Sequence, residues 1–451
     1  MKLNLKDPTL LRDCGYVDGQ WIKPAGGQSF PVKNPATGET IIEVASHGAA
    51  ETRQAIEAAE RAMQAWKARP AKERADLLHA WYELIMANQQ DLAVIMTAEQ
   101  GKVLAESLGE IAYAASFIEW FAEEARRTYG DIMPLPQTDR RGLVIKQPVG
   151  VVAAITPWNF PAAMITRKAG PALAVGCSIV IKPAKETPLS ALAMTELAHR
   201  AGIPAGVINV VCGESSRDIG GELTANPLVR KLTFTGSTPV GKELIKQCSE
   251  TVKKVSMELG GNAPVIVFDD ADLDAAALGA AASKYRNSGQ TCICANRILV
   301  QDSVYDEFVE KFSALVAGFQ IGNGLEDGIT HGPLVNATAA QDVHAMVQQA
   351  LDSGAQAVAG GDFDKLGECF YQPTILTDVN DSMRVFREEI FGPVAPIFKF
   401  STEEEAIAMA NDTEFGLASY IYTRDIGRVW RVSEAIEYGM VGVNEVAITS
   451  D

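Results

Sequence analysis

The strongest constraint on the fold is an alternation of apolar runs with amphipathic segments in the middle of the chain. A continuous apolar run occupies residues 149–155, shorter strand-like runs occupy 178–182, 207–211 and 231–235, and helix-like segments separate them. Runs of this kind are typical of parallel strands buried on both faces, so the alternation predicts a doubly wound α/β layer. Such sheets bind ligands beyond the carboxyl ends of their strands, where we expect functional residues of this half of the chain.

A second α/β pattern of the same kind begins after residue 256 and continues to residue 423. Because 451 residues are too many for one hydrophobic core, we predict two or three domains. Before the first pattern, turn-rich apolar runs at 15–45 predict small antiparallel strands. Apolar residues at helical spacing predict long amphipathic helices at 49–66, 72–97 and 105–128.

The composition argues against several classes of function. Aspartate and glutamate number 57 against 40 lysines and arginines, and the net charge of −17 repels nucleic-acid phosphates. The first residues lack the apolar segment of a secretory signal, and no run approaches the ~20 apolar residues of a membrane span. Seven scattered cysteines, an odd number, argue against a disulfide framework. We therefore expect a cytoplasmic protein with no nucleic-acid or membrane partner.

A candidate nucleotide-binding loop follows the fourth predicted strand. Residues 236–242 read Gly-Ser-Thr-Pro-Val-Gly-Lys, as in a P-loop, but Glu243 stands where that loop has the serine or threonine that binds magnesium. Backbone amides at the start of the following helix can still hold a pyrophosphate. Lys182, at the end of the second strand, is a candidate for binding ribose or phosphate, unless it is a solvated strand end. A P-loop-like nucleotide-binding protein is a distant alternative.

Three side chains have the chemistry of a nucleophilic active site. Cys292 follows a Gly-Gln-Thr turn and offers a thiol, although many free cysteines are inert core residues. Glu258 lies between Met257 and Leu259, where partial burial would raise its pKa toward neutrality and make it a general base. An exposed glutamate at a strand edge is the alternative for this position. Asn159 offers an amide for stabilising an oxyanion, or else it is a turn residue.

Six short motifs together resemble the aldehyde dehydrogenase superfamily, in which they occur in this order and spacing. Stretches at 112–121, 162–170 and 286–296 look like the succinate-semialdehyde dehydrogenase branch, and glutarate-semialdehyde dehydrogenases are similar in the same places. The resemblance covers most of the chain. The six motifs are Pro-Trp-Asn-Phe-Pro at 157–161, Lys-Pro-Ala at 182–184, Phe-Thr-Gly-Ser at 234–237, Glu-Leu-Gly-Gly at 258–261, Gly-Gln-Thr-Cys at 289–292 and Glu-Ile-Phe-Gly-Pro at 389–393.

This resemblance implies two doubly wound, Rossmann-type domains and a small β element for oligomerisation. Residues 1–128 and 148–256 would form a dinucleotide-binding domain, and residues 257–451 a catalytic domain. Residues 129–147 would form an oligomerisation ribbon of a homodimer or homotetramer, although a surface loop fits the same residues. Relatives continue beyond the point where this sequence stops, with a strand that pairs with a neighbouring subunit. We expect the absence of that strand to weaken oligomerisation.

The resemblance also implies a mechanism that needs no metal. Cys292 would attack an aldehyde to form a thiohemiacetal and then a thioester, which water activated by Glu258 would hydrolyse. The side-chain amide of Asn159 and the backbone amide of Cys292 would stabilise the oxyanion. Glu389 would bind the nicotinamide ribose, with Phe391 beside the ring. The cofactor-binding residues implied in this way are Thr156, Pro157, Trp158, Lys182, Ala184, Lys185, Gly213, Gly236, Ser237, Leu259, Glu389 and Phe391.

The expected substrate and cofactor depend on three cations. By resemblance, Arg167 and Arg286, with Ser450, hold the distal carboxylate of succinate semialdehyde, the aldehyde of γ-aminobutyrate degradation, although structural ion pairs would also explain the arginines. Glutarate semialdehyde is the alternative substrate, because one methylene changes selectivity by only ~1–3 kcal/mol. Lys185 stands where NAD-preferring relatives often have glutamate, so we expect NADP+ to be preferred. NAD+ is a second cofactor, because Glu186 adjoins this lysine.

Cys294 lies two residues after Cys292 and has two interpretations. Reversible oxidation of the pair would block the nucleophile and act as a redox switch. Alternatively, Cys294 is a passive small apolar residue. The sequence leaves both interpretations open.

Overall fold

The computed structural model describes residues 1–449, so Ser450, a predicted substrate contact, lies outside the described residues. Strands and helices alternate through most of this part of the chain, as the sequence predicts. In chain order the strands are β1 (Gly15–Val17), β2 (Gln20–Ile22), β3 (Ser29–Lys33), β4 (Thr40–Ala45), β5 (Asp131–Met133), β6 (Gly142–Val144), β7 (Val151–Ile155), β8 (Ile179–Lys182), β9 (Ile208–Val210), β10 (Val229–Thr235), β11 (Lys254–Glu258), β12 (Ala263–Val267), β13 (Ala295–Gln301), β14 (Gln356–Ala359), β15 (Thr374–Thr377), β16 (Val394–Phe400), β17 (Ala418–Tyr422) and β18 (Met440–Val443).

The α-helices pack on the faces of the two large sheets. In chain order they are α1 (Ala49–Ala68), α2 (Ala71–Ala87), α3 (Gln89–Gln100), α4 (Leu104–Glu124), α5 (Ala163–Ala174), α6 (Pro188–Arg200), α7 (Ser216–Ala225), α8 (Thr238–Ser249), α9 (Leu273–Tyr285), α10 (Tyr305–Val316), α11 (Ala337–Asp352), α12 (Arg384–Arg387), α13 (Glu403–Asn411) and α14 (Ile426–Ala435).

The first large sheet has the strand order β11-β10-β7-β8-β9-β1-β2. Its strands from β11 to β9 are parallel, and β1 pairs antiparallel with both β9 and β2. The chain runs outward from β7 through β8 to β9 and then returns to the other side of β7 at β10, which makes a topological switch point between β7 and β10. Ile155 is in register with both Lys182 and Phe234, so the segments that follow these three strands lie side by side.

The second large sheet has the strand order β14-β15-β16-β13-β12-β17-β18, and all its pairings except β14 with β15 are parallel. Cys292 comes just before β13 and Glu389 just before β16. The functional candidates of this sheet therefore lie at the amino ends of its strands, whereas those of the first sheet follow the carboxyl ends. The two doubly wound sheets confirm the predicted α/β class.

Alternating side chains of the central strands supply two cores for each sheet. In β7, Val152 and Ala154 belong to the core under helices α2 to α6, and Val151 and Ala153 belong to the core under α1, α7 and α8. All four side chains are buried. A strand buried on both faces has to be apolar at every position, which explains the continuous apolar run in the sequence.

Two predicted boundaries differ in the structure. The single helix expected at 72–97 is two helices, α2 and α3, which meet at Asn88. The backbone of Asn88 has φ −109° and ψ 15°, and its Nδ2 donates a hydrogen bond to the carbonyl of Leu84 at 2.8 Å. Asparagine competes for backbone groups in this way, and an apolar periodicity that continues across the joint hides the break. The predicted domain boundary between residues 256 and 257 falls inside β11, which pairs with β10 in the first sheet.

The segment at 129–147 forms a two-stranded antiparallel ribbon of β5 and β6. Large apolar side chains on this ribbon face solvent. The exposed fraction is 78% for Ile132, 73% for Leu143 and 75% for Ile145. The predicted small antiparallel strands at 15–45 are also confirmed, since β1 pairs with β2 and β3 with β4.

Candidate active site

A tight left-handed turn presents the nucleophile candidate. Asn287, Ser288 and Gly289 have positive φ values of 51°, 54° and 78° in succession, directly after α9. An ideal Cβ on Gly289 would lie 2.1 Å from the carbonyl oxygen of Gly392, so only glycine fits this close approach. The turn reverses the chain and leads into Cys292. Of the seven cysteines, all within residues 1–449, Cys292 is the one that is partly exposed, and the other six are buried.

A second close approach brings the segment after β11 against the nucleophile. An ideal Cβ on Gly261 would lie 2.0 Å from the carbonyl oxygen of Cys292. Any side chain at this position would push the two backbones apart. Gly261 follows Glu258 by three residues, so this contact holds the end of the first sheet beside the Cys292 loop.

Asn159 lies on the other side of the same loop. Its Nδ2 donates a hydrogen bond to the carbonyl oxygen of Gln290 at 3.0 Å, and the residue is buried. Because a carbonyl can only accept, this bond assigns the orientation of the amide and leaves the second N–H of Nδ2 for another acceptor. Gln290 is two residues before Cys292, so the structure brings these two predicted catalytic residues together.

Glu258 is exposed, so the predicted partial burial is wrong. The residue ends β11, which is the edge strand of the first sheet and has β10 as its one neighbour there. An edge strand leaves one side open to solvent, a property that neighbouring apolar residues in the sequence do not reveal. The side chain nevertheless lines the same cavity as Cys292, as expected of a base that serves this nucleophile.

A buried cation near Glu258 was not anticipated from the sequence. Lys168, on α5, is buried, and its Nζ donates to Thr235 Oγ1 at 2.8 Å and to Thr233 Oγ1 at 3.2 Å. Burial lowers the pKa of Lys168 to about 8, and the charge of Glu258 partly opposes this shift. A lysine inside the otherwise apolar face of a helix was the signal that could have identified it.

Glu389 is the carboxyl group at this site whose pKa is shifted toward neutrality. Its Oε1 accepts a hydrogen bond from the backbone N–H of Gly261 at 2.9 Å. Burial raises the pKa of Glu389 to about 7, and the Gly261 bond and the charge of Lys284 oppose the rise. The environment expected for Glu258 is therefore found at Glu389.

The Cys292 thiol is surrounded by groups that favour its protonated form. Burial of the sulfur is the largest cause and the Glu389 carboxylate the next, and together with smaller contributions from Cys294 and Glu258 they raise the pKa of Cys292 to about 12. The free protein therefore holds Cys292 as a thiol at neutral pH. A change in the neighbouring charges is needed before the thiolate forms readily.

Both predicted substrate arginines line one cavity with Cys292. The cavity has a volume of about 490 Å³, and its walls include Tyr113, Arg167, Arg286 and Thr449. Arg167 donates a hydrogen bond to the hydroxyl of Tyr113. Within residues 1–449 neither guanidinium forms an ion pair with a carboxylate. No close ion pair therefore holds either arginine within the described part of the chain; burial raises the pKa of the nearby Glu106, and the charge of Arg286 is among the influences that oppose the rise.

The guanidinium groups of these arginines rest on aromatic rings. Arg167 lies 4.6 Å from the ring centroid of Phe117, and Arg286 lies 5.1 Å from that of Phe160. Such contacts orient a guanidinium and leave its N–H groups free to bind an anion. Two oriented, unpaired cations in one cavity can bind a carboxylate.

The segments after β7, β8 and β10 form a second candidate site. Lys182 is buried, and among residues 1–449 its Nζ donates only to its own neighbour, the Pro183 carbonyl, at 3.2 Å. The hydroxyl of Thr156 is also buried, and it has no hydrogen-bond partner in the described part of the chain. A buried ammonium group and a buried hydroxyl without strong partners fit a site for a polar ligand such as a ribose.

A groove of about 720 Å³ lies between α7 and α8. Gly236 and Ser237 lie at the amino end of α8, and the Gly236 N–H donates to the Glu258 carbonyl at 3.0 Å. Gly241, also in α8, contacts the side chain of Leu259. An ideal Cβ on this glycine would lie 2.4 Å from Leu259 Cδ2. The helix amino end suits a pyrophosphate and the groove suits a flat ring, so the residues present fit a dinucleotide.

The other predicted cofactor residues occupy three places. Trp158, which follows Pro157, packs edge-to-face on Phe391 with 5.4 Å between ring centroids, which joins the two loops that carry them. Lys185, after Ala184, is exposed and has no ion pair within the described residues. Gly213 follows β9 and packs against the carbonyl of His47, away from the two described cavities.

Comparisons with known proteins agree with this geometry. The model of the aldehyde dehydrogenase family matches residues 21–451. The chain belongs to this family. It is 61% identical over 449 residues to glutarate-semialdehyde dehydrogenase of Pseudomonas aeruginosa, covering 100% of this chain and 93% of that protein. It is 58% identical over 451 residues to succinate-semialdehyde dehydrogenase [NADP(+)] of Escherichia coli, again covering 100% and 93%.

A solved structure is equally similar. The crystal structure of an E. coli NADP-dependent enzyme superposes with a TM-score of 0.98 at 58% identity, covering 99% of this chain and 93% of that one. The recognition of an aldehyde dehydrogenase and of its α/β fold is therefore confirmed. The chain is an aldehyde dehydrogenase, an oxidoreductase.

Family membership removes the P-loop alternative, and the structure shows why the loop resembles one only in sequence. Lys242 is on the exposed surface, where its Nζ lies 3.8 Å from the Glu414 carboxylate. Glu243 accepts a hydrogen bond from Gln247, one turn along the helix. In residues 1–449 no helix is long and apolar enough to cross a membrane. The cytoplasmic location stays a prediction.

Cys294 is buried and points toward Lys284. Its sulfur lies 3.8 Å from Lys284 Nζ and donates to the carbonyl of Gly289 at 3.4 Å. Lys284 is itself completely buried. These contacts give Cys294 a packing role under the Cys292 turn, and its role as a redox switch stays an untested hypothesis.

The charge of Glu389 should control the reactivity of this aldehyde dehydrogenase's nucleophile in a pH-dependent way. Below about pH 7 Glu389 carries a proton, and above it the carboxylate raises the pKa of Cys292. In Glu389→Gln the amide keeps an acceptor for Gly261 but loses this charge. We expect iodoacetamide to alkylate Cys292 up to about tenfold faster in the variant above neutrality, and equally fast below it.

The measurement is the mass-spectrometric rate of modification of the Cys292 peptide from about pH 6 to about pH 9. Glu388→Gln is the matched control, because this neighbour pairs with Arg384 on the surface. A rate ratio between variant and parent that stays constant over this range would contradict the assignment.

Proposed function

We propose that this aldehyde dehydrogenase oxidises succinate semialdehyde to succinate with NADP+, and that glutarate semialdehyde is the alternative substrate. The observation that carries the proposal is the pair of unpaired arginines, Arg167 and Arg286, in the cavity of Cys292. A protein with a net charge of −17 repels small anions, so two free cations beside the nucleophile favour a substrate with a carboxylate tail. The names of the two relatives support both semialdehydes.

In this proposal Cys292 and Asn159 carry the oxidative half of the reaction. The Cys292 thiol loses its proton and adds to the aldehyde carbon, which gives a thiohemiacetal with a developing oxyanion. The free N–H of Asn159 Nδ2 and the backbone N–H of Cys292 donate to that oxygen. When bound, the nicotinamide supplies the acceptor for the hydride that leaves the thiohemiacetal carbon. The product of this half is a thioester on Cys292.

Glu258 carries the hydrolytic half in this proposal. Its carboxylate takes a proton from water, and the oxygen of that water adds to the thioester carbon. The carbon–sulfur bond then breaks, which releases the carboxylic acid and the Cys292 thiol. The exposed position of Glu258 at the end of β11 supports this role, because water reaches it from solvent. Overall, an aldehyde, oxidised cofactor and water give a carboxylate, reduced cofactor and two protons.

The cofactor proposal is NADP+, with NAD+ as a second cofactor. Lys182 and Thr156 have unused polar groups for the ribose, and the groove between α7 and α8 accommodates a ring. Lys185 is exposed and unpaired, three residues after Lys182, which suits a 2′-phosphate better than a 2′-hydroxyl. The Escherichia coli relative is named for NADP(+), and this name supports the choice.

Removing one arginine should separate anionic from neutral substrates. In Arg286→Gln we expect kcat/KM for succinate and glutarate semialdehydes to fall about 100-fold, because a buried carboxylate loses a charged partner. The value for butanal, which has no carboxylate, should stay within about threefold. The measurement is the growth of reduced-cofactor absorbance. Cys292→Ala should abolish turnover of all three aldehydes, and Arg126→Gln, at an exposed arginine, is the matched control.

An equal loss of activity toward butanal and the semialdehydes in Arg286→Gln would contradict the tail-binding role. The parent enzyme's ratio of kcat/KM for succinate and glutarate semialdehydes then decides between the two substrates.

Removing the charge of Lys185 should lower the preference for NADP+. In Lys185→Gln we expect the ratio of kcat/KM for NADP+ to that for NAD+ to fall about tenfold, because a 2′-phosphate loses one charged partner. Initial rates at saturating aldehyde measure the ratio. Lys365→Gln changes an exposed lysine far along the chain and should leave the ratio unchanged. A parent enzyme that favours NAD+ would show that the charge argument is wrong.

The division into a dinucleotide-binding and a catalytic domain is also a proposal, and so is the homo-oligomer. On the ribbon of β5 and β6, Ile132 and Leu143 each have more than seventy per cent of their surface exposed. Exposed apolar side chains of this kind are typical of a protein interface. We propose that this ribbon pairs a subunit with a second copy of the chain.

A charged ribbon should separate the subunits. For the double variant Ile132→Glu, Leu143→Glu we expect the mass measured by light scattering to fall to that of a monomer, because carboxylates are costly to bury in an interface. The melting temperature in dilute solution reports whether each subunit keeps its fold. An unchanged oligomeric mass in the double variant would place the interface elsewhere.

A further inference from the structure

We propose that Lys102 is a positioning residue for the oxyanion site: with Glu110, it fixes the backbone of Asn159 so that the amide of this residue faces the reacting oxygen. The inference rests on the role of Asn159 in the proposed function. Neither Lys102 nor Glu110 belongs to the motifs identified in the sequence, and both precede the first large parallel strand.

Lys102 is a buried cation whose donors are directed at the Asn159 loop. Its side chain is 1% exposed. Nζ donates to the carbonyl oxygen of Asn159 at 2.6 Å and to Glu110 Oε2 at 2.5 Å. The same atom lies 4.1 Å from the ring centroid of Phe160, the residue after Asn159. One ammonium group therefore holds both the carbonyl of Asn159 and the following side chain.

Glu110 binds the other end of the same loop through hydrogen bonds. Its Oε1 accepts hydrogen bonds from the backbone N–H groups of Ala162 at 2.9 Å and Ala163 at 3.2 Å. These N–H groups belong to the amino end of α5, where a carboxylate is favoured by the helix dipole. The Lys102–Glu110 ion pair thus fixes the loop at Asn159 and again three residues later.

Helix α4 anchors the nucleophile loop through the same set of contacts. Glu106, one turn before Glu110, accepts the N–H of Asn287 at 2.8 Å. Asn287 Nδ2 in turn donates to the carbonyls of Asn159 at 3.0 Å and Gln290 at 3.3 Å. The two oxyanion donors, on separate loops, are therefore aligned by one helix and by the lysine that precedes it.

The buried Lys102–Glu110 ion pair has an electrostatic cost that a pair of apolar side chains would not have. Burial lowers the pKa of Lys102, and the charge of Glu110 opposes the shift. A buried ion pair often gives no more stability than apolar side chains of the same volume. The directed bonds to the Asn159 loop are what an apolar pair would lack. A positioning role predicts loss of acyl chemistry, and a purely structural role predicts loss of stability alone.

The test compares three reactions of Cys292 in Lys102→Met. Aldehyde oxidation and hydrolysis of p-nitrophenyl acetate both pass through an oxyanion at the Cys292 adduct, whereas alkylation by iodoacetamide displaces iodide and forms none. We expect kcat for the first two reactions to fall about 10- to 100-fold with little change in KM. The alkylation rate should stay within about twofold of the parent, because the thiol itself is not moved.

Lys253→Met is the matched control. Lys253 is also a buried lysine that donates to a backbone carbonyl, that of Asn226 at 3.0 Å, but it contacts neither loop. It should lower the melting temperature without a selective loss of the two oxyanion reactions. The double variant Lys102→Met, Glu110→Gln removes both partners of the buried ion pair. It should recover melting temperature relative to Lys102→Met while kcat stays low.

Two outcomes would overturn the proposal. The first is an equal fall of alkylation and acyl transfer in Lys102→Met, which would mean that the thiol has moved. The second is a recovery of kcat in the double variant together with stability. Ester hydrolysis and alkylation do not depend on the semialdehyde. A parent enzyme that hydrolyses the ester but oxidises no semialdehyde would therefore refute the proposed substrate and leave the positioning role testable.

Discussion

The contact between the backbone of Gly261 and the carbonyl of Cys292 is the constraint on which the site depends. It presses the carboxyl edge of the first sheet onto the amino edge of the second, and a side chain at residue 261 would separate them. The left-handed turn through Gly289 makes a second close approach of the same loop, to the carbonyl of Gly392. Neither sheet alone contains the nucleophile, the amide donor and the general base. The chemistry exists only where the two edges meet.

Charges of both signs lie around the junction of the two sheets. Burial of the sulfur and the Glu389 carboxylate raise the pKa of Cys292, whereas Arg167 and Arg286, which line the same cavity, form no ion pair within residues 1–449. Free cations held on aromatic rings favour an anionic substrate, and a protonated thiol protects the nucleophile from oxidation while the site is empty.

Much of the fold and the site could be predicted from the sequence, because strands buried on both faces leave continuous apolar runs and tight turns demand glycine. The sequence left the burial of Glu258 open, since an edge strand such as β11 differs from a central one only in its neighbours, and the structure confirms the alternative of an exposed glutamate at a strand edge. The joint at Asn88 was hidden by an apolar periodicity that continues across it. Lys102 was missed because a lone lysine in the short connection between α3 and α4 has no local signature of burial, whereas Lys168 interrupts the apolar face of α5 and could have been found.

Glu258 is contributed by the edge strand of a sheet, whereas many of the other side chains around the proposed aldehyde site come from helices. In the proposed mechanism the aldehyde enters a cavity lined by side chains of α4 and α5, such as Tyr113 and Arg167, and Glu258 lines the same cavity from the edge strand β11. Substitutions on the two helices can thus change which aldehyde is admitted while the hydrolytic geometry stays the same. A scaffold built in this way can diversify its substrates by drift in two helices, with the strand that ends at Glu258 left untouched.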